Sequence, residues 1–141
     1  MRTDSEILRR HQRGLTFRIV PPIDWRATLR TRANVLVTGP KDALASFLQT
    51  ARSEMREPIR SSGAALLPFP EEVRTLILTE VDALDGADQQ RLRRWFDERQ
   101  NADVQVVSLT SVSLFSLVNA NAFDAQLYYR LNTIFLEIQA A

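Results

Sequence analysis

Apolar and polar positions alternate along the chain in two kinds of block: short buried runs, and longer segments with helical spacing. Residues 34–38, Asn-Val-Leu-Val-Thr, run into Gly39-Pro40, the pattern of a buried parallel strand ending in a turn. Residues 75–79, Thr-Leu-Ile-Leu-Thr, give a second such run. Residues 104–107, Val-Gln-Val-Val, give a third, and residues 134–138, Ile-Phe-Leu-Glu-Ile, a last strand. Helical spacing fills the gaps. Over residues 42–56, Leu44, Phe47, Leu48 and Ala51 share one face, and Pro58 stops the helix. Residues 88–99 turn Leu92, Trp95 and Phe96 inward, and residues 112–118 and 123–131 read as shorter helices. Residues 59–67 carry only a weak strand signal at their start, with a loop around Ser61-Ser62-Gly63.

Ahead of this alternation, Asp4 or Ser5 caps a short helix that runs through Arg13 and ends at Gly14. Residues 15–20 alternate as a strand, stopped by Pro21-Pro22 because proline has no N–H for a sheet. Asp24 caps a helix over residues 25–30. From residue 34 onward strand and helix take turns, which predicts an α/β fold with a three-layer parallel sheet. Ligands of such sheets bind at the carboxyl ends of the strands.

A length of 141 residues fits one domain, with residues 1–33 as a basic leading segment and residues 34–141 as the α/β unit. The net charge of +1 hides an asymmetry. Eight arginines against Asp4, Glu6 and Asp24 give residues 1–33 a net of +5, leaving −4 for the rest. This front end can touch nucleic acid through Arg2, Arg9, Arg10 and Arg13, but a solvated terminus accounts for it as well. With no helix-turn-helix pattern beside it, nucleic acid is not the expected partner. The chain has no cysteine, which excludes disulfides and thiol catalysis and fits a reducing cytoplasm. A single histidine, His11, excludes a histidine metal cluster and a Ser-His-Asp triad. No apolar run approaches the roughly 20 residues of a membrane span. Trp25, Trp95 and the Tyr128-Tyr129 pair read as packing residues.

The most specific pattern lies near the end. Thr110-Ser-Val-Ser-Leu114 is followed, nine residues... on, by Phe123-Asp-Ala-Gln-Leu-Tyr-Tyr-Arg-Leu-Asn132. This resembles the A-T-N-x-x-L…F-R-x-D-L-Y-Y-R-L-N stretch of sigma-54-dependent transcription activators, and residues 127–132 match it letter for letter. Earlier segments follow in the same order. Val35-Leu-Val-Thr-Gly39 is similar to the strand and first glycine of the phosphate loop, and residues 58–67 to the second strand. Residues 75–84, Thr-Leu-Ile-Leu-Thr-Glu-Val-Asp-Ala-Leu, are similar to the Walker B segment T-L-F-L-D-E-I-G-E-L. The resemblance spans about residues 30 to 138 and implies the α/β part of a bacterial AAA+ ATPase, a P-loop NTPase fold, without the helical lid that follows in complete members.

The same resemblance marks candidate site residues and what has changed around them. A phosphate loop needs successive small residues and a lysine. Here Gly39-Pro40-Lys41-Asp42 is about four residues shorter, and Pro40 removes an N–H donor. Lys41 stands for the phosphate lysine only across a deletion; a tight strand-to-helix turn with Lys41 in solvent accounts for the same residues. Thr79 occupies the position of the Mg²⁺-holding Asp, and a hydroxyl is a poor substitute for a carboxylate. Glu80 matches the catalytic Glu, here vestigial, and Asp82 reads as a turn or cap carboxylate. Thr110 matches the γ-phosphate sensor, with Ser111 replacing its Asn; a cap for the next helix fits Thr110 equally well. Asp124 reverses the charge of the family's first arginine, while Arg130 matches the second. Arg130 can act as an arginine finger on a neighbouring subunit's ATP, or hold its own helix against an acid.

The sigma-contacting G-A-F-T-G-A loop has no counterpart, since only Pro68-Phe-Pro-Glu-Glu-Val-Arg74 precedes residue 75. The resemblance therefore implies a transcription-regulation module without ATP hydrolysis, with no metal and no resident cofactor. It would act by contact with an intact sigma-54 activator or with copies of itself. The alternative is a weak ATP-binding protein or ATPase using Gly39, Lys41, Glu80, Thr110 and Arg130 with Mg²⁺.

Overall fold

The computed structural model describes residues 17–63, 72–99 and 103–141. The expected helix before Gly14 lies outside them, as do residues 64–71. Six strands form one sheet: β1 (Phe17–Ile19), β2 (Val35–Thr38), β3 (Ile59–Ser62), β4 (Thr75–Leu78), β5 (Gln105–Thr110) and β6 (Ile134–Ala140). The helices are α1 (Trp25–Arg30), α2 (Lys41–Ala51), α3 (Gly86–Glu98), α4 (Leu114–Asn119) and α5 (Ala125–Leu131). The strand order is β1-β6-β2-β5-β4-β3. Five strands run parallel and β1 alone pairs antiparallel, with Phe17 opposite Ala140.

Side chains alternate across the sheet and give two cores, one per face. Val35, Val37, Val107, Leu109, Leu136 and Ile138 look toward α2, where Leu44, Phe47 and Ala51 meet them. Leu36, Leu76, Leu78 and Val106 look the other way, toward Leu92 and Trp95 of α3 and Leu127 and Leu131 of α5. This is the three-layer α/β sheet that the strand–helix alternation predicts.

The boundary expected at residue 33 does not coincide with an edge of packing. Phe17, Trp25 and Leu29 are fully buried in the first core. Phe17, Trp25 and Phe47 stack edge to face in a triangle with centroids 5.4–5.7 Å apart. Residues from Phe17 onward therefore belong to the α/β unit, because their aromatic side chains complete the α2 face.

Other elements shift by a few residues. The helix expected to reach residue 56 ends at Ala51 and tightens into a 3₁₀ turn, Arg52–Glu54. Bonds from Arg30 Nε and Arg32 Nη1 to Glu54 hold that turn against α1. The third buried strand extends to Thr110, three residues past its expected end. Of the tyrosine pair, only Tyr128 packs; Tyr129 is 68% exposed.

Candidate functional site

Helix α2, which follows β2, covers the first face, whereas α4 and α5, which follow β5, cover the second. Adjacent strands β2 and β5 thus send their connections to opposite sides, which opens a crevice beyond their carboxyl ends. A cleft of about 450 Å³ lies there, lined by Lys41, Leu44, Leu48, Thr79, Glu80 and Ser111 among others. Lys41 and Glu80 therefore face one opening. Gly39 and Thr110, at the ends of the two strands, do not line it, and Arg130 is elsewhere.

The backbone at the β2–α2 turn is largely committed. The Gly39 N–H donates to the Thr110 carbonyl at 3.2 Å. A Cβ on Gly39 would stand 2.5 Å from the Ile138 carbonyl oxygen, so β6 closes against the loop. Pro40, the N-cap of α2, has no N–H and makes no side-chain cap. Asp42, in the first turn, puts a negative charge where an anion would gain most from the helix dipole. Lys41 is exposed.

At the end of β4 the Thr79 hydroxyl donates to the Ser62 carbonyl at 3.3 Å, and the Thr79 N–H donates to the same oxygen at 3.0 Å. Glu80 follows, exposed, at the N-cap position of the 3₁₀ turn Val81–Ala83 that holds Asp82, and its side chain makes no capping bond. Asp85, rather than Asp82, caps α3, accepting from the Asp88 N–H at 2.8 Å. Thr110 is 1% exposed. Its hydroxyl accepts from the Val112 N–H at 3.2 Å and donates to the Val112 carbonyl at 2.9 Å. The helix cap expected at Thr110 is instead Ser113, whose Oγ accepts from the Ser116 N–H at 3.2 Å.

Arg130 sits at the opposite end of the sheet. Its Nη2 lies 2.7 Å from Asp97 Oδ1, and its guanidinium carbon lies 5.5 Å from the Phe96 ring centroid. The Asn34 side chain donates to the Arg130 carbonyl at 3.0 Å and accepts from the Val106 N–H at 2.9 Å. This ties the end of α5 to the amino ends of β2 and β5, away from the cleft. Arg130 thus reaches a nucleotide cleft only if that cleft belongs to another molecule. Asp124, the charge-reversed position, caps α5 through the Leu127 N–H at 2.8 Å and pairs with Arg93 at 3.0 Å.

Sequence reasoning passed over Asn34 and Gln89. The buried Gln89 amide donates to Leu84 and Ala122 carbonyls and accepts from the Asp124 N–H, so it locks α3 to the α4–α5 turn. An amide in an otherwise charged helix carries no signal of this role until the turn is seen beside it. Among the described residues, no group of three or more His, Cys, Asp or Glu converges to hold a metal, and no helix is long and apolar enough to cross a membrane.

Comparison with known proteins places this geometry. The solved structure of NtrX from Brucella abortus in complex with ADP superposes with a TM-score of 0.60 at 20% identity, covering 82% of this chain and 34% of that one. The P-loop NTPase domain of the sigma-54 transport activator from E. coli superposes with a TM-score of 0.51 at 17% identity, covering 84% of this chain and 98% of that one. These likenesses establish the P-loop NTPase fold. In sequence, the sigma-54-dependent transcriptional regulator SfnR of Pseudomonas fluorescens (strain Pf0-1) is 38% identical over 74 residues, which is 45% of this chain and 20% of that protein. The chain thus matches only a fifth of that relative's length. The sigma-54 interaction domain model matches residues 26–140, and on that match the chain belongs to the sigma-54 interaction domain family.

Proposed function

We propose that the chain is a transcription-regulation module that keeps the sigma-54 activator ATPase fold, has lost ATP hydrolysis, and acts through protein contacts. The observation that carries this reading is the end of β4. Where the family's metal-holding carboxylate belongs stands Thr79, its hydroxyl turned to the Ser62 carbonyl. Without a carboxylate there, Mg²⁺ has no anchor and Glu80 has no metal-bound nucleotide against which to orient water. The β2–α2 turn supports the same reading. The Gly39 N–H serves β5, Pro40 has none, and Asp42 repels an incoming phosphate.

The expected partner is an intact activator of the same family or a second copy of this chain, met in the cytoplasm. Phosphate release from Mg·ATP tests the loss of hydrolysis. The expected result is no release above buffer for the chain or for Glu80→Gln. Turnover that Glu80→Gln abolishes would overturn the reading.

The cleft itself favours one alternative. Lys41, Glu80 and Ser111 line a single opening of about 450 Å³ at the sheet's switch point. In that reading the chain is a weak ATP-binding protein with Lys41 on the phosphates, and Lys41→Ala abolishes nucleotide affinity.

A further inference from the structure

Among the described residues, β1 and β6 are covered on one face only. Phe17, Ile19, Leu136 and Ile138 are buried in the first core, which turns Arg18, Phe135 and Glu137 to the other face, where all three are exposed. Parallel strands are ordinarily covered on both faces. Beside β6 a groove of about 500 Å³ separates the strand from α4 and α5, lined by Val112, Phe115, Tyr128, Phe135 and Glu137 among others. The exposed large apolar side chains of the described residues are Val112, Phe115, Tyr129 and Phe135, and all four gather here. Phe115, Tyr128 and Tyr129 form a row of rings with centroids 6.1 and 5.3 Å apart. From Ser111 to Phe123 most side chains are exposed and none is charged. A solvated surface helix carries charge on its outer face, whereas aromatic enrichment with charge depletion marks the centre of a protein interface.

We propose that this face joins two copies of the chain about a two-fold axis running between β1 and β6. Three observations select a second copy as the occupant. The first is charge. Arg18 lies opposite Gln139 in the β1–β6 register, and Glu137 stands two residues before Gln139 on the same face. The Arg18 guanidinium donates to Gln139 Oε1 at 2.9 Å, and neither Arg18 nor Glu137 makes an ion pair among the described residues. A two-fold axis between the strands sets Arg18 of each copy beside Glu137 of the other, so one cation and one anion per chain become two intermolecular pairs.

The second is the uncharged aromatic wall. An isologous contact sets one patch against itself, so charge of a single sign there would repel, and residues 111–123 carry none. The third is area. At roughly 200 Å² per aromatic side chain, the exposed parts of Phe115, Tyr129 and Phe135 offer about 350 Å², close to half of the roughly 800 Å² that each partner covers in a stable pair. Ser111, Val112, Ser113 and Glu137 add to it from the groove walls. This inference rests on the protein-contact reading above and gives that contact its surface. Lys41, Glu80 and Arg130 do not line the groove, so the pairing leaves them outside it.

Sedimentation equilibrium of the full chain from about 1 µM to about 1 mM tests the pairing. The expected result is a mass that rises from one chain to two. Phe135→Asp, which sets a carboxylate in the apolar part of the contact, is expected to weaken pairing at least about tenfold. Arg18→Glu and Glu137→Arg are each expected to do the same. Arg18→Glu combined with Glu137→Arg is expected to restore pairing to within about threefold, which a damaged fold would not do. A chain that stays single over the whole range overturns the proposal. So does a dimer that Phe135→Asp leaves intact, or one that the double exchange fails to restore. A mass above two chains overturns it as well, because an isologous contact closes at two. Phosphate release from Mg·ATP is read on the same samples. A single chain without turnover overturns this inference and leaves the loss of hydrolysis standing.

Discussion

Gly39 shows how much a single position can fix. Its Cβ-to-be lies 2.5 Å from a backbone oxygen and 2.6 Å from the Ile138 side chain, and backbone in a central sheet cannot step aside. Gly39→Ala is therefore expected to cost about 1–3 kcal/mol, read as a lowered urea midpoint. The glycine was legible as the first residue of a phosphate loop, but its present duty to β6 was not, because strand order is a tertiary fact. Thr110 makes the same point: a hydroxyl that the family resemblance aims at phosphate is occupied by the Val112 backbone two residues away. Charge also acts at this scale. Arg56, hydrogen-bonded to both Asp103 carboxylate oxygens, holds that acid below its ordinary value of 3.8. A lowered folded-state value stabilises the fold at neutral pH and is lost as pH falls through the acid range. Arg56→Gln is expected to lower the urea midpoint at neutral pH and to lower it less at about pH 3. An equal loss at both pH values would show that the pair contributes through packing alone.

At the scale of elements, buried runs and helical spacing located every strand and α-helix among the described residues, with ends that coincide or are displaced by up to five residues, and missed the two 3₁₀ turns. The ends moved where a side chain chose the cap. Ser113 and Asp124 start α4 and α5 later than apolar spacing alone implies. Asp124→Ala loses both the cap and the Arg93 pair and is expected to cost about 1–2 kcal/mol. Asp124→Arg, which restores the family's letter, is expected to cost at least as much, by setting a cation beside Arg93. A stability unchanged in Asp124→Arg would contradict the account of this helix. The β1–α1 unit was legible as a strand and a helix, but its place in the first core was not, since the basic charge of residues 1–33 set them apart from the α/β unit. Trp25→Ala is expected to cost about 3–5 kcal/mol, because it removes the middle of a buried aromatic triangle. A loss below about 1 kcal/mol would return residues 17–33 to the status of an appendage.

At the scale of the molecule, the three layers followed from the alternation of elements, but the order β1-β6-β2-β5-β4-β3 did not, and the geography of the site depends on that order. It sets Lys41 and Glu80 at one end of the sheet and Arg130 at the other. Arg130→Ala, losing an exposed pair with Asp97, is expected to cost less than about 1 kcal/mol, so a larger effect on assembly would mark contact with a second molecule. The central claim is that the fold survives while its phosphate chemistry does not. Calorimetric titration with a non-hydrolysable ATP analogue, with and without Mg²⁺, tests it most directly. The account predicts no binding heat up to millimolar nucleotide and no effect of Mg²⁺. Micromolar binding that depends on Mg²⁺ and disappears in Lys41→Ala would contradict it.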